Sequence, residues 1–206
     1  MKNFIHGVFV ILAVMAVVGL AAPEPAIIQK AGDWTVDVTF EHPQQIMVRG
    51  GGGGKPARFW YTILTLTNKT SRDVDFYPEC ELLTDGFQIL PAGRGVAAGV
   101  FERIKRRHQS RYPFLESLEK AGNRILQGED NTKDVAIMWP DFEAQAKNIR
   151  VFVAGLSNET AAVEHPITKG KVYLRKTLEL SYELQGEPAL RSYAKLVYKG
   201  KRWVMR

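Results

Sequence analysis

The run FWYTILTLTN at residues 59–68 constrains the fold more tightly than any other part of the chain. In a strand, successive side chains point to opposite faces. Trp60, Leu64 and Leu66 therefore share one face, and Phe59, Tyr61 and Ile63 share the other. A strand apolar on both sides requires cover on both sides, so this segment is expected at the centre of the molecule. The same two-residue period recurs elsewhere. Trp34, Val36, Val38 and Phe40 alternate with polar residues, and Ile149, Val151 and Val153 alternate with Arg150 and Phe152. In VYLRKTLELSYEL, Val172, Leu174, Leu178, Leu180, Tyr182 and Leu184 lie on one face, with Arg175, Glu179, Ser181 and Glu183 on the other. The closing KLVYKGKRWVMR is expected to form two short strands about a turn at Lys199 and Gly200.

One interval follows helical spacing instead. Val96, Ala97, Val100, Phe101 and Ile104 recur at intervals of one, three and four residues, and Pro113 stands where a first-turn proline belongs. Phe114, Leu118, Ala121 and Ile125 continue the three- and four-residue spacing. The expectation is a mainly β protein, an antiparallel β-sandwich with a short helical insertion around residues 96–126, either two short helices or one helix and a loop. No internal repeat and no second domain boundary is visible in the sequence.

The N-terminus carries the features of an export signal. Lys2 precedes an apolar run at residues 8–20, and Gly19 and Ala21 supply small side chains at the −3 and −1 positions of a cleavage site. Residues 1–21 are read as a signal peptide, 22–31 as a flexible N-terminal segment and 32–206 as a single sandwich domain. The alternative is an uncleaved anchor, because residues 4–22 approach the ~20 residues that cross a bilayer. The expected location is therefore the periplasm or cell envelope, with membrane contact only through the leader if it is retained. Loss of Lys2 lowers the formal charge from +6 to +5. That excess gives mild affinity for anionic surfaces and is far from a nucleic-acid signature. Cys80 is the only cysteine, so no intramolecular disulfide supports the fold.

Two longer stretches resemble immunoglobulin-like domains of exported bacterial proteins. YTILTLTNKTSRDVDFYPECELLTDGFQILP is similar to their strand–Asn-turn–strand unit. ILQGEDNTKDVAIMWPDFEAQAKNIRVFVAGL is similar to a later unit, in which a Gly-Glu turn precedes two apolar strands. The resemblance is to uncharacterised exported bacterial proteins and implies an immunoglobulin-like sandwich and export. It carries over no catalytic residues.

Signals for chemistry are sparse. The glycine run 50–54 fails as a phosphate cradle. Arg49 stands where a P-loop needs its first glycine, Pro56 stands where it needs Ser or Thr, and a strand pattern follows in place of a helix. The run reads as a long hairpin or strand-to-strand loop. His42, His108 and His165 are scattered, and Cys80 is followed by neither His nor Met in the range a blue-copper site needs. A copper site of His42, Met47 and a second methionine is the residual metal reading. GLSN at 155–158 lacks the closing glycine of a nucleophile elbow and reads as a turn. Asp73, Asp75 and Asp85 fall in turn-like contexts. No metal, cofactor or catalytic residue is expected.

The most distinctive charge feature is ERIKRRHQSR at residues 102–111, where Arg103, Lys105, Arg106, Arg107 and Arg111 outnumber Glu102 by four. The plain reading is a solvated helix face. The functional reading is docking to an anionic surface or an envelope protein. The sequence thus points to a non-enzymatic exported binding or structural module. The alternative is an envelope enzyme or copper carrier whose site is assembled from residues distant in sequence.

Loop-closure entropy changes slowly with loop length. Shortening the glycine run 50–54 to two residues is therefore expected to shift the melting temperature by no more than a few degrees. Collapse of the calorimetric transition would show that those glycines hold a required conformation.

Overall fold

The computed structural model describes residues 31–49 and 55–206. The leader 1–21, nearly all of the segment 22–31 and the glycine run 50–54 lie outside the described residues. Along the chain come β1 (Asp37–Phe40), β2 (Gln44–Arg49), β3 (Pro56–Asn68), β4 (Val74–Asp75), β5 (Glu79–Thr84) and β6 (Ile89–Pro91). A single α-helix among the described residues, α1 (Val100–His108), then interrupts the strands. It is followed by β7 (Glu116–Ser117), β8 (Arg124–Ile125), β9 (Gly128–Pro140), β10 (Asn148–Ala154), β11 (Thr160–Glu164), β12 (Lys171–Gln185) and β13 (Lys195–Met205).

The first sheet is built on β3. It pairs antiparallel with β9 from Phe59 opposite Pro140 to Asn68 opposite Gly128. The other edge of β3 is shared by β1 and β2, which act as one interrupted strand. Between Phe40 opposite Leu64 and Gln44 opposite Tyr61, the β1–β2 side advances four residues and β3 only three. The extra residue makes a bulge at residues 41–43, and the Thr62 hydroxyl donates to the Glu41 carbonyl there. Beyond β9 the short β7 pairs in parallel with Val135 and Ala136.

The second sheet is built on β12. Arg175 exchanges both backbone bonds with Arg206 beyond β13, at 2.8 and 3.2 Å, while the Lys176 N–H bonds the Glu159 carbonyl at 2.9 Å. Neighbouring residues of a strand direct their backbone groups to opposite edges. Hence β13 lies on one edge of β12, and β10 followed by β11 lies on the other. Strand β5 pairs with β10, and β6 pairs with β5. The N-terminal segment ties the two sheets together. Thr35 bridges Ser157 and the Val36 N–H reaches the Leu156 carbonyl at 2.9 Å before β1 joins the first sheet.

Two apolar clusters explain why β3 is apolar on both faces. Trp60, Leu64 and Leu66 meet Leu82, Val151, Val153, Leu178 and Leu180 between the sheets. Phe59, Tyr61 and Ile63, with Ile46 and Val48 of β2, face Val100, Ile104 and Leu115 on the outer side. The result is a β-sandwich with a helical layer over one sheet. Removing each Leu or Ile from water contributes on the order of 2 kcal/mol.

Turn residues act as the sequence suggested at two places. Fully buried Asn68 accepts from the Thr70 N–H at 3.0 Å and donates to the Arg72 and Ile125 carbonyls at 2.8 and 3.0 Å, holding the turn after β3. Gly155 has φ +86°, and a Cβ there would stand 2.5 Å from the Tyr77 carbonyl oxygen. Only glycine permits the interruption between β10 and β11.

The helical insertion around 96–126 takes the form of one α-helix, α1, followed by a single 3-10 turn at Leu118–Lys120, because Gly122 at φ +71° is incompatible with a right-handed helix and residues 116–117 join β9 as a strand. Of the spaced residues, Ala121 and Ile125 are buried and Leu118 partly so, while Phe114 is 85% exposed, so the spacing does not mark one face. Two expectations are corrected. The closing segment is one strand, with the extra residue at Lys199 absorbed as a bulge. The first strand begins at Asp37, because Trp34 and Thr35 bond to the region around Ser157 and Asn158.

Ile104 is completely enclosed and Phe101 only partly so. Ile104→Ala is expected to destabilise the fold by about 2–4 kcal/mol through lost burial and a residual cavity, and Phe101→Ala by clearly less. Urea denaturation checks both, and equal effects at the two positions would contradict the packing.

Candidate functional site

Helix α1 is set by its apolar side. Val100 and Ile104, one turn apart, are buried against the outer face of the first sheet, and Phe101 packs beside them. Glu102 in the first turn and the basic residues in the last turn complement the helix dipole. Burying the apolar stripe leaves Arg103, Arg106 and Arg107 exposed.

The five basic residues singled out by the sequence do not form one face. Arg111 lies past the helix, pairs with Glu41 at 2.7 Å and stacks on Tyr112 at 5.3 Å. Lys105 sits 5.9 Å from the Phe101 ring centre. Arg103, Arg106 and Arg107 instead line a groove between α1 and β2, and among the described residues none of them forms an ion pair with a carboxylate. Arg107 donates to the Gln45 carbonyl at 3.3 Å.

The groove runs the length of β2. Arg107 lies by Gln44 and Gln45, with Ser192 and Leu196 closing that end. A middle cavity of 520 Å³ is lined by Gln45, Ile46, Met47, Arg103, Arg106 and Arg107. The far cavity, of 650 Å³, is reached by Gly99, Arg103 and Arg106 on one side and Val48, Arg49 and Pro56 on the other. The helix thus runs antiparallel to β2, and Arg49 adds a fourth arginine beside the hairpin loop. Arg49 and Pro56, the facing ends of β2 and β3, are register partners.

A polar cluster fastens the helix C-terminus to the sheet. Tyr61 Oη lies 2.8 Å from His108 Nε2 and donates to Gln44 Oε1 at 3.0 Å. Tyr112 Oη donates to Glu41 at 2.7 Å. Burial pushes the Tyr61 hydroxyl above its usual range, with Arg107 opposing. Burial and the Glu41 carboxylate raise that of Tyr112 to about 12. Both shifts hold the hydroxyls protonated, the reverse of what a nucleophile or general base needs. This cluster therefore works as a fastening.

The histidines bond in three different neighbourhoods. His42 meets the Tyr182 hydroxyl at 3.4 Å and packs against Phe40 and Tyr198. His108 belongs to the cluster under the helix, and His165 Nδ1 accepts the Ile167 and Thr168 N–H groups at 3.2 and 3.1 Å. Among the described residues no three His, Cys, Asp or Glu side chains are placed to hold a metal ion. Cys80 is enclosed, and burial pushes its thiol well above the ordinary value.

One charged site is not legible as such in the sequence. On the outer face of the second sheet, Arg202 donates to both oxygens of buried Glu179 at 3.0 Å, Arg206 pairs with Glu81 at 2.8 Å, and Arg175 pairs with Glu79. Arg206 lies 4.1 Å from the Phe152 ring centre over a 270 Å³ hollow. The alternating polar face of β12 was the available signal, but the partners come from β5 and β13. In this network each arginine already has its carboxylate.

Comparison with known proteins finds no matching family model, no matching curated protein and no matching solved structure.

Burial, aided by Arg107, holds the His108 imidazole below its ordinary value near 6.5. The unfolded chain then binds a proton that the folded chain resists. This contribution to stability is present in full above about pH 6.5 and is lost as the pH falls toward the lowered folded value. His108→Gln is expected to flatten the stability profile over that acidic interval, read by urea midpoints at stepped pH. An unchanged slope would remove His108 from the account.

Proposed function

We propose that this chain is an exported, non-enzymatic binding module of the cell envelope, an immunoglobulin-like sandwich that docks an anionic partner through the groove between α1 and β2. The observation that carries the reading is the set of arginines 103, 106 and 107, gathered along one groove with no ion pair among the described residues, since Glu41 at the Arg107 end is already paired with Arg111. On the second sheet, by contrast, Arg202 is neutralised by Glu179 and Arg206 by Glu81. Charges left without partners beside a groove are available to a ligand.

The immunoglobulin-like part rests on the two facing antiparallel sheets and on the N-terminal segment that touches one sheet before joining the other. Export rests on the leader sequence. No helix among the described residues is long and apolar enough to cross a membrane, so a retained leader would be the attachment and the groove a separate contact. Each basic residue near an anionic membrane contributes about 1 kcal/mol. The three groove arginines would therefore give a weak contact that salt screens over ~8 Å at physiological strength.

Replacing Arg103, Arg106 and Arg107 together with glutamine is expected to change stability by no more than about 0.5 kcal/mol. The same change should abolish retention on anionic vesicles or dextran sulfate at low salt. Wild-type protein that ignores both probes at low salt would leave α1 as a solvated lid and end this reading.

A further inference from the structure

The floor of the groove carries information beyond its charge. The Arg58 carbonyl accepts from the Asp141 N–H at 3.2 Å, on the β9 side of β3. Arg58 and its partner Met47 are therefore a pair without mutual backbone bonds, and Met47 directs its own N–H and C=O away from the sheet. Gln45 has the same parity, and its carbonyl accepts from Arg107 on that outer side. Among the described residues, strand β2 pairs only with β3. Its free edge is consequently a row of backbone donors and acceptors lying in the groove, walled by Arg103 and Arg106.

We infer that the groove takes an acidic, extended peptide segment of a partner protein, which adds to β2 as a further strand and sets its carboxylates against Arg103, Arg106 and Arg107. This inference rests on the docking role proposed above and names the partner's chemistry. Two features of the groove favour a peptide. An exposed strand edge is satisfied by another backbone, which supplies alternating N–H and C=O groups in the plane of the sheet. Arg103 stands about one helical turn from Arg106 and Arg107, on the order of 5 Å along the axis. Side chains on one face of a strand repeat at about 6.6–6.8 Å, so acidic residues two apart in the peptide meet Arg103 and the Arg106–Arg107 pair. A flat headgroup layer offers no backbone partner and cannot follow the concave edge between helix and strand. Arg107 holds the Gln45 carbonyl in the free protein, and the incoming strand would take over that acceptor and release the guanidinium to a carboxylate.

The test uses the purified protein and three probes: a short alternating Glu-Val peptide, the same peptide N-methylated along its bonding edge, and phosphatidylglycerol vesicles. The expected result is that the unmodified peptide binds and slows exchange of the Met47 amide hydrogen by about tenfold. N-methylation should remove both effects, and Arg103→Gln with Arg106→Gln should weaken binding of the unmodified peptide. Equal binding of the N-methylated peptide, or protection confined to α1, would overturn strand addition while leaving the docking role. Binding of vesicles without binding of either peptide would make the groove a membrane face and likewise overturn this inference. Failure of all three probes at low salt would overturn the docking role as well.

Discussion

The two-sided burial of β3 is the constraint on which the remaining architecture depends. Six large apolar side chains on one strand, three to each face, cannot be left in water, and one covering layer satisfies only half of them. The face of Trp60, Leu64 and Leu66 brings in the second sheet, and that of Phe59, Tyr61 and Ile63 brings in α1 and the segment through Leu115. Pairing with β9 from Phe59 to Asn68 extends the same arrangement, since Ile137 and Trp139 face the sandwich while Ala136 and Met138 face the helix. Helix α1 can then be short, because its stability comes from packing on this prepared surface rather than from intrinsic propensity.

Polar fastenings close the ends of the sandwich. Arg191 is buried with its guanidinium 4.3 Å from the Phe142 ring centre and 5.7 Å from that of Trp60. It donates to the carbonyls of Glu143, Ala144 and Ala146 at 3.2–3.3 Å. Asp141 accepts from both Trp60 Nε1 and Arg58, at 2.8 and 2.9 Å. At the other end, Lys176 pairs with buried Glu159, and Thr35 and Ser157 join the same group. With no disulfide available, these contacts hold the irregular segments to the two sheets, and each buried partner would be costly to leave unmatched.

The same economy of charge separates paired from unpaired arginines. Arg58, Arg175, Arg202 and Arg206 each meet an acidic residue of a neighbouring strand. Arg103 and Arg106 meet none among the described residues, although they lie beside an unpaired strand edge that an arginine wall helps to guard against indiscriminate pairing. An edge that is open in backbone terms and strongly basic in charge admits few strands.

By itself the sequence determined the strand periods, the two-faced centre at residues 59–68, the amphipathic start of α1, the turn at Asn68 and the basic run, because each is written in nearest-neighbour spacing. Tertiary structure alone decided what became of residues 113–126, where Leu118, Ala121 and Ile125 mimic helical spacing but Gly122 turns the chain and β9 captures Glu116 and Ser117. It also decided which arginines stay unpaired. Arg111 and Arg107 read alike in the sequence, yet Glu41, carried in by the β1–β2 bulge, neutralises only Arg111 at 2.7 Å. The free edge of β2 was likewise invisible beforehand. Whether a strand has one neighbour or two depends on pairing between distant segments, and no local period records it.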